Sequence, residues 1–224
     1  MKDKAIHSFL TLPVELVCRI LDKLDTFTIL CSMLNVCTRI NVIVDAYRQH
    51  QTINTLQSLG NQLDPQIIYY LANILRHDKK ITKIRLGNSA IGDIGTRYLA
   101  NVLQYNTTLI VLHLGYNEIG DEGTQYLANA LHQNTTLAAL HLWGNKITNA
   151  GARDLANALK YNRTLIKLDL RYNQIGRAGA RYLAHGLQYN TTLTMLSLEQ
   201  NSIDFQAGQY FEIEMKKVPL RVWL

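Results

Sequence analysis

The chain has 224 residues, 47% of them hydrophobic, and a formal net charge of +6 at pH 7. This length is ample for a hydrophobic core in one domain or two, and the apolar fraction is that of an ordinary soluble protein. The basic surplus is spread thinly, with no run of Lys or Arg longer than two, and no apolar run reaches the roughly 20 residues of a membrane span. Neither nucleic acid nor a membrane is therefore an expected partner.

The N-terminus has a basic start but no unbroken apolar stretch before Pro13 and Glu15, so we expect no signal peptide. The cysteines, at positions 18, 31 and 37, are odd in number and lack the spacing of a disulfide framework or a metal site. Both features predict a reducing, cytoplasmic setting.

Residues 9–50 carry three short helical patterns. In the first, Pro13 suits the first position of a helix, and Leu16, Ile20 and Leu24 recur at the spacing of one helical face. Two shorter patterns come next, in residues 29–36 and 40–47. Three such helices make a very small core, which is marginal alone. One interpretation is a cap that covers the apolar end of the next segment of the chain.

From Gln51 the chain repeats with a period of 28 residues, in six units that begin at positions 51, 79, 107, 135, 163 and 191. Leu or Ile recurs at the third, sixth, eighth and thirteenth positions and Asn at the eleventh, with Ser58 and Ser89 as exceptions. This is the leucine-rich repeat, LxxLxLxxNxI. Alternating Leu of a short strand point inward, and the buried Asn satisfies backbone groups in the turn.

The second half of each unit has Leu and Ala at helical spacing, which predicts one helix per strand. Four glycines near the helix starts are expected to allow close approach to a neighbour: Gly95, Gly123, Gly151 and Gly179. Strands stack about 4.8 Å apart while helices are about 10 Å wide. The prediction is an α/β horseshoe solenoid with a parallel sheet on the concave face and helices on the convex face. Residues 51–224 resemble ribonuclease-inhibitor-type leucine-rich repeats.

The ends of the units carry two further signals. Four N-x-T sequons recur at one repeat position, and we interpret them as turns rather than glycosylation sites: Asn106, Asn134, Asn162 and Asn190. In the last unit, Glu212 and Glu214 replace small helix residues, and a final partial strand containing Trp223 is expected to cover the end.

Strand positions between the core leucines project onto the concave face. These positions are rich in aromatic and charged side chains, which are typical of interface hot spots. The alternative is that they are merely tolerated exposed residues. The predicted target-binding residues are Lys83, Arg85, His113, Tyr116, His141, Trp143, Asp169, Arg171, Tyr172 and Glu199.

His113, His141 and Asp169 share one column, in which neighbours should lie about 5 Å apart. A metal or acid–base site there would lack a further ligand, a nucleophile and a pocket. We therefore predict no catalytic residue, no metal and no cofactor, and a protein that is not an enzyme.

Residues 12–40 resemble the F-box, through the motif residues Leu12-Pro13, Glu15, Ile20-Leu21, Leu24-Asp25 and Val36-Cys37. The match departs at Ile40, where the family usually has Trp, and between Asp25 and Val36, where the segment is one residue longer than usual. The resemblance implies a small three-helix domain over residues 1–50 that docks on the Skp-type linker subunit of a cullin–RING ubiquitin ligase. The implied linker-binding residues are Leu12, Pro13, Leu16, Ile20, Leu24, Val36 and Cys37.

The predicted function is a substrate-recognition adaptor of such an SCF-type ligase, in which the repeats hold an unknown target protein near the ligase. One alternative is a stand-alone binding or inhibitor module whose N-terminal helices are only a cap. Another is a regulator of Ran-type GTPases, which would need a functional Arg on the rim. The machinery is eukaryotic, but intracellular bacteria export look-alikes, so the host cytoplasm is an alternative location.

Overall fold

The computed structural model describes residues 54–57, 63, 65–215 and 221–223. The chain divides into two compact units, Met1–Gln57 and Ser58–Leu224. The predicted F-box-like helices and all seven predicted linker-binding residues lie outside the described residues. Their roles, and the predicted domain boundary at residue 50, stay predictions.

Strands and helices alternate along the described residues. The strands are β1 (Thr55–Gln57), β2 (Lys83–Arg85), β3 (Val111–His113), β4 (Ala139–His141), β5 (Lys167–Asp169), β6 (Met195–Ser197) and β7 (Arg221–Trp223). The helices are α1 (Pro65–His77), α2 (Gly92–Tyr105), α3 (Asp121–Gln133), α4 (Asn149–Leu159), α5 (Arg177–Leu187) and α6 (Phe205–Met215). None of these helices of the described chain has the length and apolar character needed to cross a membrane.

Strands β2 to β7 pair in parallel and in chain order. From β2 to β6 the register advances by one repeat at each strand, so that Leu112 pairs with Leu140 and Leu140 with Leu168. Each helix packs against the next helix along the chain. The predicted α/β solenoid of leucine-rich repeats is confirmed for this part of the chain, while its curvature into a horseshoe stays a prediction.

The core lies between the sheet and the helices. Leu140 at the centre of β4 and Leu155 in α4 are both 0% exposed, and the equivalent leucines of the neighbouring units are equally buried. In the last described helix, Phe211 takes the place of that helical leucine and is also 0% exposed. Truncating a buried leucine of this kind to Ala costs about 2–5 kcal/mol.

Two columns of buried asparagines close the turns of the repeat. Asn145 Oδ1 accepts hydrogen bonds from the backbone N–H of Asn117 and Ile119, both at 3.0 Å, and its amide donates to Leu142 O at 2.8 Å. Asn134, in a sequon, donates to Leu103 O at 2.7 Å and accepts from Leu137 N at 2.7 Å. The predicted structural role of both positions is therefore confirmed.

A third inter-repeat contact explains the glycines near the helix starts. Asp121 Oδ1 accepts from the backbone N–H of Thr148 at 2.9 Å and of Gly151 at 2.8 Å, in the next unit. A Cβ at Gly151 would lie 2.7 Å from that oxygen, so only glycine leaves room for it. Asp93 and Asn149 make the equivalent bonds. The close approach was predicted, but the capping side chain was not.

At the C-terminal end, β7 pairs in parallel with β6, and Trp223 lies opposite Ser197. The predicted final strand is therefore confirmed.

Candidate protein-binding surface

We call sheet surface the set of side chains that project from the strands and the residues just after them, on the side opposite the buried leucines. All ten predicted target-binding residues belong to it and are described. Lys83, Arg85, Tyr116 and Tyr172 are exposed; His113, His141, Trp143, Arg171 and Glu199 are partly buried; and Asp169 is buried. The sheet surface has an aromatic half on β3 and β4 and an ionic half on β5 and β6.

The parallel register brings one column of predicted residues together across the strands. His113 pairs with His141, and His141 with Asp169. The rings of His113 and His141 are stacked, with centroids 5.2 Å apart and an interplanar angle of 26°. The predicted spacing of about 5 Å is therefore confirmed.

Trp143 is the centre of the aromatic half. Its ring stands edge-on to Tyr116, with centroids 4.4 Å apart, and its Nε1 donates to Nε2 of His113 at 3.3 Å. The ring also lies over Gly115, where a Cβ would approach Nε1 to 2.4 Å. Three residues of the preceding unit therefore fix the orientation of one indole. We call His113, Tyr116 and Trp143 the aromatic cluster.

The tenth position of the repeat has a left-handed backbone conformation. The φ angle is 53° at both Tyr116 and Tyr172 and 69° at Gly144, in the unit between them. For a non-glycine residue this conformation costs about 1–2 kcal/mol. Two units nonetheless carry a tyrosine there, and its side chain is about half exposed, at 49% for Tyr116 and 51% for Tyr172.

His113 is held as a neutral imidazole. Since Nε2 accepts from Trp143, the ring proton belongs on Nδ1. Nδ1 is buried and has no hydrogen-bond partner among the described residues. Burial, followed by the nearby His141 and Arg85, lowers the pKa of His113 below its ordinary value. A second proton would set an N–H of His113 against the indole N–H.

The ionic half is built on a bidentate pair. Arg171 donates to the two carboxylate oxygens of Asp169, from Nε at 2.9 Å and from Nη2 at 2.7 Å. Nδ1 of His141 lies 3.6 Å from the same carboxylate. Burial alone would raise the pKa of Asp169, but the contacts with His141 and Arg171 outweigh it and hold that pKa well below its usual range. Asp169 in turn raises the pKa of Arg171.

This pairing gives Asp169 a structural role. Its carboxylate is buried and positions Arg171, while its predicted role in target binding stays a prediction. Beside the pair lies a cavity of about 320 Å³, whose lining includes Lys167, Met195 and Glu199. Oε2 of Glu199 is buried there without a hydrogen-bond partner among the described residues.

The sheet surface combines ordered aromatic rings with an ordered guanidinium. Among the residues that the structure describes, no group of three or more His, Cys, Asp or Glu side chains could hold a metal ion. In the column of His113, His141 and Asp169, the two histidine rings stack and Nδ1 of His141 contacts the carboxylate of Asp169. Fixed aromatic rings next to a fixed guanidinium offer apolar area and directed hydrogen bonds to another protein.

A leucine-rich-repeat family model matches residues 105–128, 133–156 and 161–184. No curated protein matches the sequence. Among solved structures, the chain is similar to leiomodin-1 actin-binding site 2, with 23% identity, a TM-score of 0.54, and 65% of this chain and 88% of that one covered. It is also similar to the tropomodulin C-terminal domain of Caenorhabditis elegans, with 19% identity, a TM-score of 0.52, and 64% and 87% covered. The chain therefore contains leucine-rich repeats and shares its repeat fold with these two structures.

Proposed function

We propose that this protein is a non-enzymatic binding module, whose sheet surface holds another protein through the aromatic cluster. The observation that carries the proposal is the indole of Trp143, which is partly exposed and fixed by three residues of the preceding unit. Tryptophan, tyrosine and arginine are the residue types most enriched in binding hot spots.

The rigidity of these side chains supports the same function. A side chain that is ordered before binding loses little conformational entropy when the partner arrives. Trp143 has a hydrogen bond and two ring contacts, and Arg171 has two hydrogen bonds to one carboxylate. A surface of this kind is already ordered for contact with a partner.

The test is a differential capture experiment. Partners are captured from cell extract with the wild-type chain, with Trp143→Ala and with Tyr161→Ala, and are quantified by mass spectrometry. Tyr161 is a matched control because it is 63% exposed and its ring packs against His132 of α3, with centroids 4.9 Å apart and an interplanar angle of 52°. A true partner should be retained by Tyr161→Ala and lost by Trp143→Ala, since truncating a hot-spot residue costs about 2 kcal/mol or more. An unchanged set of partners in Trp143→Ala would refute the proposal.

Actin is a rational first probe because the similar leiomodin-1 structure is that of an actin-binding site. At 23% identity that likeness concerns the fold alone. Purified actin should therefore be tested against the same three proteins by a direct affinity measurement, with no presumption of the outcome.

The narrower proposal is the ubiquitin-ligase adaptor in the cytoplasm, or in the host cytoplasm if the protein is exported. Its support is the resemblance of residues 12–40 to the F-box. A Leu12→Ala/Pro13→Ala variant should remain folded and no longer co-purify with the Skp-type linker. Absence of linker binding by the wild-type protein would end the adaptor proposal and leave the binding module.

Removing residues 1–50 separates the two proposals. If these residues only cap the repeats, their removal should make residues 51–224 insoluble, because the apolar end of a solenoid needs covering. If they form a docking module, target binding should survive their removal and linker binding should not.

A further inference from the structure

The cavity in the ionic half, of about 320 Å³, extends over β4, β5 and β6. Its charged lining residues are Lys167, Asp169, Arg171 and Glu199. Resting on the protein-binding function above, we propose that this cavity receives a lysine or arginine side chain of the target protein. The carboxylate of Glu199 is the counter-ion of that side chain.

The first argument is the state of the Glu199 carboxylate. Its Oε2 atom is withdrawn from solvent and has no hydrogen-bond partner among the described residues. A buried acceptor without a donor is costly, and the cost is larger for an ionised group. A cationic donor from a partner removes this cost when it binds, so the site gains more from a cation than an exposed carboxylate would.

The second argument is the balance of charges around Asp169, Arg171 and Glu199. Arg171 uses its two nearest N–H groups on Asp169, at 2.9 and 2.7 Å. The four charged lining residues are two cations and two carboxylates, so the whole lining is neutral. Because Asp169 and Arg171 neutralise each other, Glu199 is the remaining negative charge beside Arg171, and Lys167 is the remaining positive charge. A cation from the target bound beside Glu199 pairs with that remaining negative charge, whereas an anion bound there would be placed against two carboxylates.

The third argument is the position of Lys167. It pairs with Met195 in the sheet register, and Glu199 lies four residues after Met195. At about 3.3 Å per residue, the backbones of Lys167 and Glu199 are therefore at most about 13 Å apart along the strand direction. Lys167 is exposed to solvent, so screening weakens its repulsion of a cation bound at Glu199.

The test uses two probes of the same shape. N-acetyl-arginine methylamide carries the guanidinium, and N-acetyl-citrulline methylamide replaces it with a neutral urea. Both are titrated into the full-length protein while backbone amide signals are followed by NMR. We expect the arginine probe to shift signals of β5 and β6 in a saturable manner with millimolar affinity, and the citrulline probe to bind at least tenfold more weakly.

The variants Glu199→Gln and Glu118→Gln complete the test. Glu199→Gln should weaken binding of the arginine probe at least tenfold. Glu118→Gln should leave it unchanged, because Glu118 is an exposed carboxylate that pairs with Lys146 elsewhere. Unchanged amide dispersion in both variants shows that the fold is intact.

Three results would overturn the inference: equal binding of the two probes, unchanged binding in Glu199→Gln, or no saturable shift with either probe. Tighter binding of N-acetyl-glutamate methylamide than of the arginine probe would also overturn it, since the cavity would then be an anion site. The proposed function has a separate test in the capture with Trp143→Ala. A target that needs Trp143 but binds Glu199→Gln normally would leave the function standing and remove this inference alone.

Discussion

The two halves of the sheet surface are built on the same repeat but are held in place by different forces. In the aromatic half, Trp143 packs on Gly115 and on the rings of Tyr116 and His113, and its hydrogen bond to His113 joins two neutral groups. In the ionic half, a buried carboxylate fixes Arg171 through two charged hydrogen bonds. The aromatic half should therefore respond most to changes of shape, and the ionic half to changes of charge.

Of the substitutions predicted here, Arg171→Ala in the ionic half should lower the free energy of unfolding most. Arg171→Ala leaves the buried carboxylate of Asp169 with His141 but without its two hydrogen bonds to Arg171, which costs about 1–3 kcal/mol or more for a charged group. The matched control is Arg177→Ala, because the pair of Arg177 and Asp204 is equally short, at 2.7 Å, but has both side chains 48% exposed. Such an exposed pair contributes about 0–1 kcal/mol. Urea unfolding at pH 7 measures both variants.

The effect of Arg171→Ala should also depend on pH. The pKa of Asp169 is lower in the folded protein than its ordinary value of 3.8, so its contribution to stability is present above that value and is lost as the pH falls below it. Removing Arg171 raises the pKa of Asp169 towards its ordinary value, so the carboxylate is protonated at a higher pH in the variant than in the wild type. The stability difference between wild type and Arg171→Ala should therefore narrow below about pH 4. A difference that stays constant from pH 7 to pH 3 would mean that the carboxylate is not the cause.

A single methyl group added to the aromatic half should lower the stability of the protein and change the emission of Trp143. Gly115→Ala places a Cβ 2.4 Å from Nε1 of Trp143, whereas Gly87→Ala, at the same position of the preceding unit, has its nearest atom at 3.5 Å. Overpacking of this kind typically costs about 1–3 kcal/mol. Gly115→Ala should lower stability and shift the emission of Trp143, and Gly87→Ala should do neither. Equal behaviour of the two variants would contradict the ring position.

How far the sequence predicts these two halves depends on the period. Because the parallel register from β2 to β6 equals the 28-residue repeat, the column of His113, His141 and Asp169 can be placed from the sequence alone. The contacts that each side chain makes within the column cannot be predicted in this way. The burial of Asp169 depends on Arg171, two residues later, and the hydrogen bond of His113 depends on Trp143, in the next unit.

The sequence also does not predict the left-handed backbone conformation at the tenth position of the repeat. The tenth position holds Asn88, Tyr116, Gly144, Tyr172 and Gln200, all with positive φ. Asn and Gly are signals for a left-handed residue, but the two tyrosines are not. The hydrogen bonds of Asp93, Asp121 and Asn149 were also not predicted from the sequence. Their side-chain oxygens accept from backbone N–H groups at the helix start of the next unit, and not from their own helix.

The aromatic half should also make a smaller contribution to the pH dependence of stability, through His113. The pKa of His113 is lowered in the folded protein, first by burial, while in the unfolded chain the ring keeps its ordinary pKa of about 6.5. The unfolded state therefore binds a proton first as the pH falls, and stability decreases from near pH 6.5 down to the lowered pKa. His113→Gln should flatten this decrease, and His132→Gln, which changes an exposed ring on α3, should preserve it. Urea unfolding at pH 7, 6 and 5 provides the measurement.

The smallest effect tests whether the two tyrosines with positive φ differ in role. Replacing either with Gly removes about 1–2 kcal/mol of backbone strain and adds about 0.5–1 kcal/mol of unfolded-state entropy cost. Tyr172→Gly should therefore stabilise the protein slightly. Tyr116→Gly also loses the ring contact with Trp143, worth about 0.5–1.5 kcal/mol, and should show no net gain. If Tyr172→Gly is more stable but binds the target less well, the strain at Tyr172 is retained for binding. If its binding is unchanged, the contact surface ends at the aromatic cluster and Arg171.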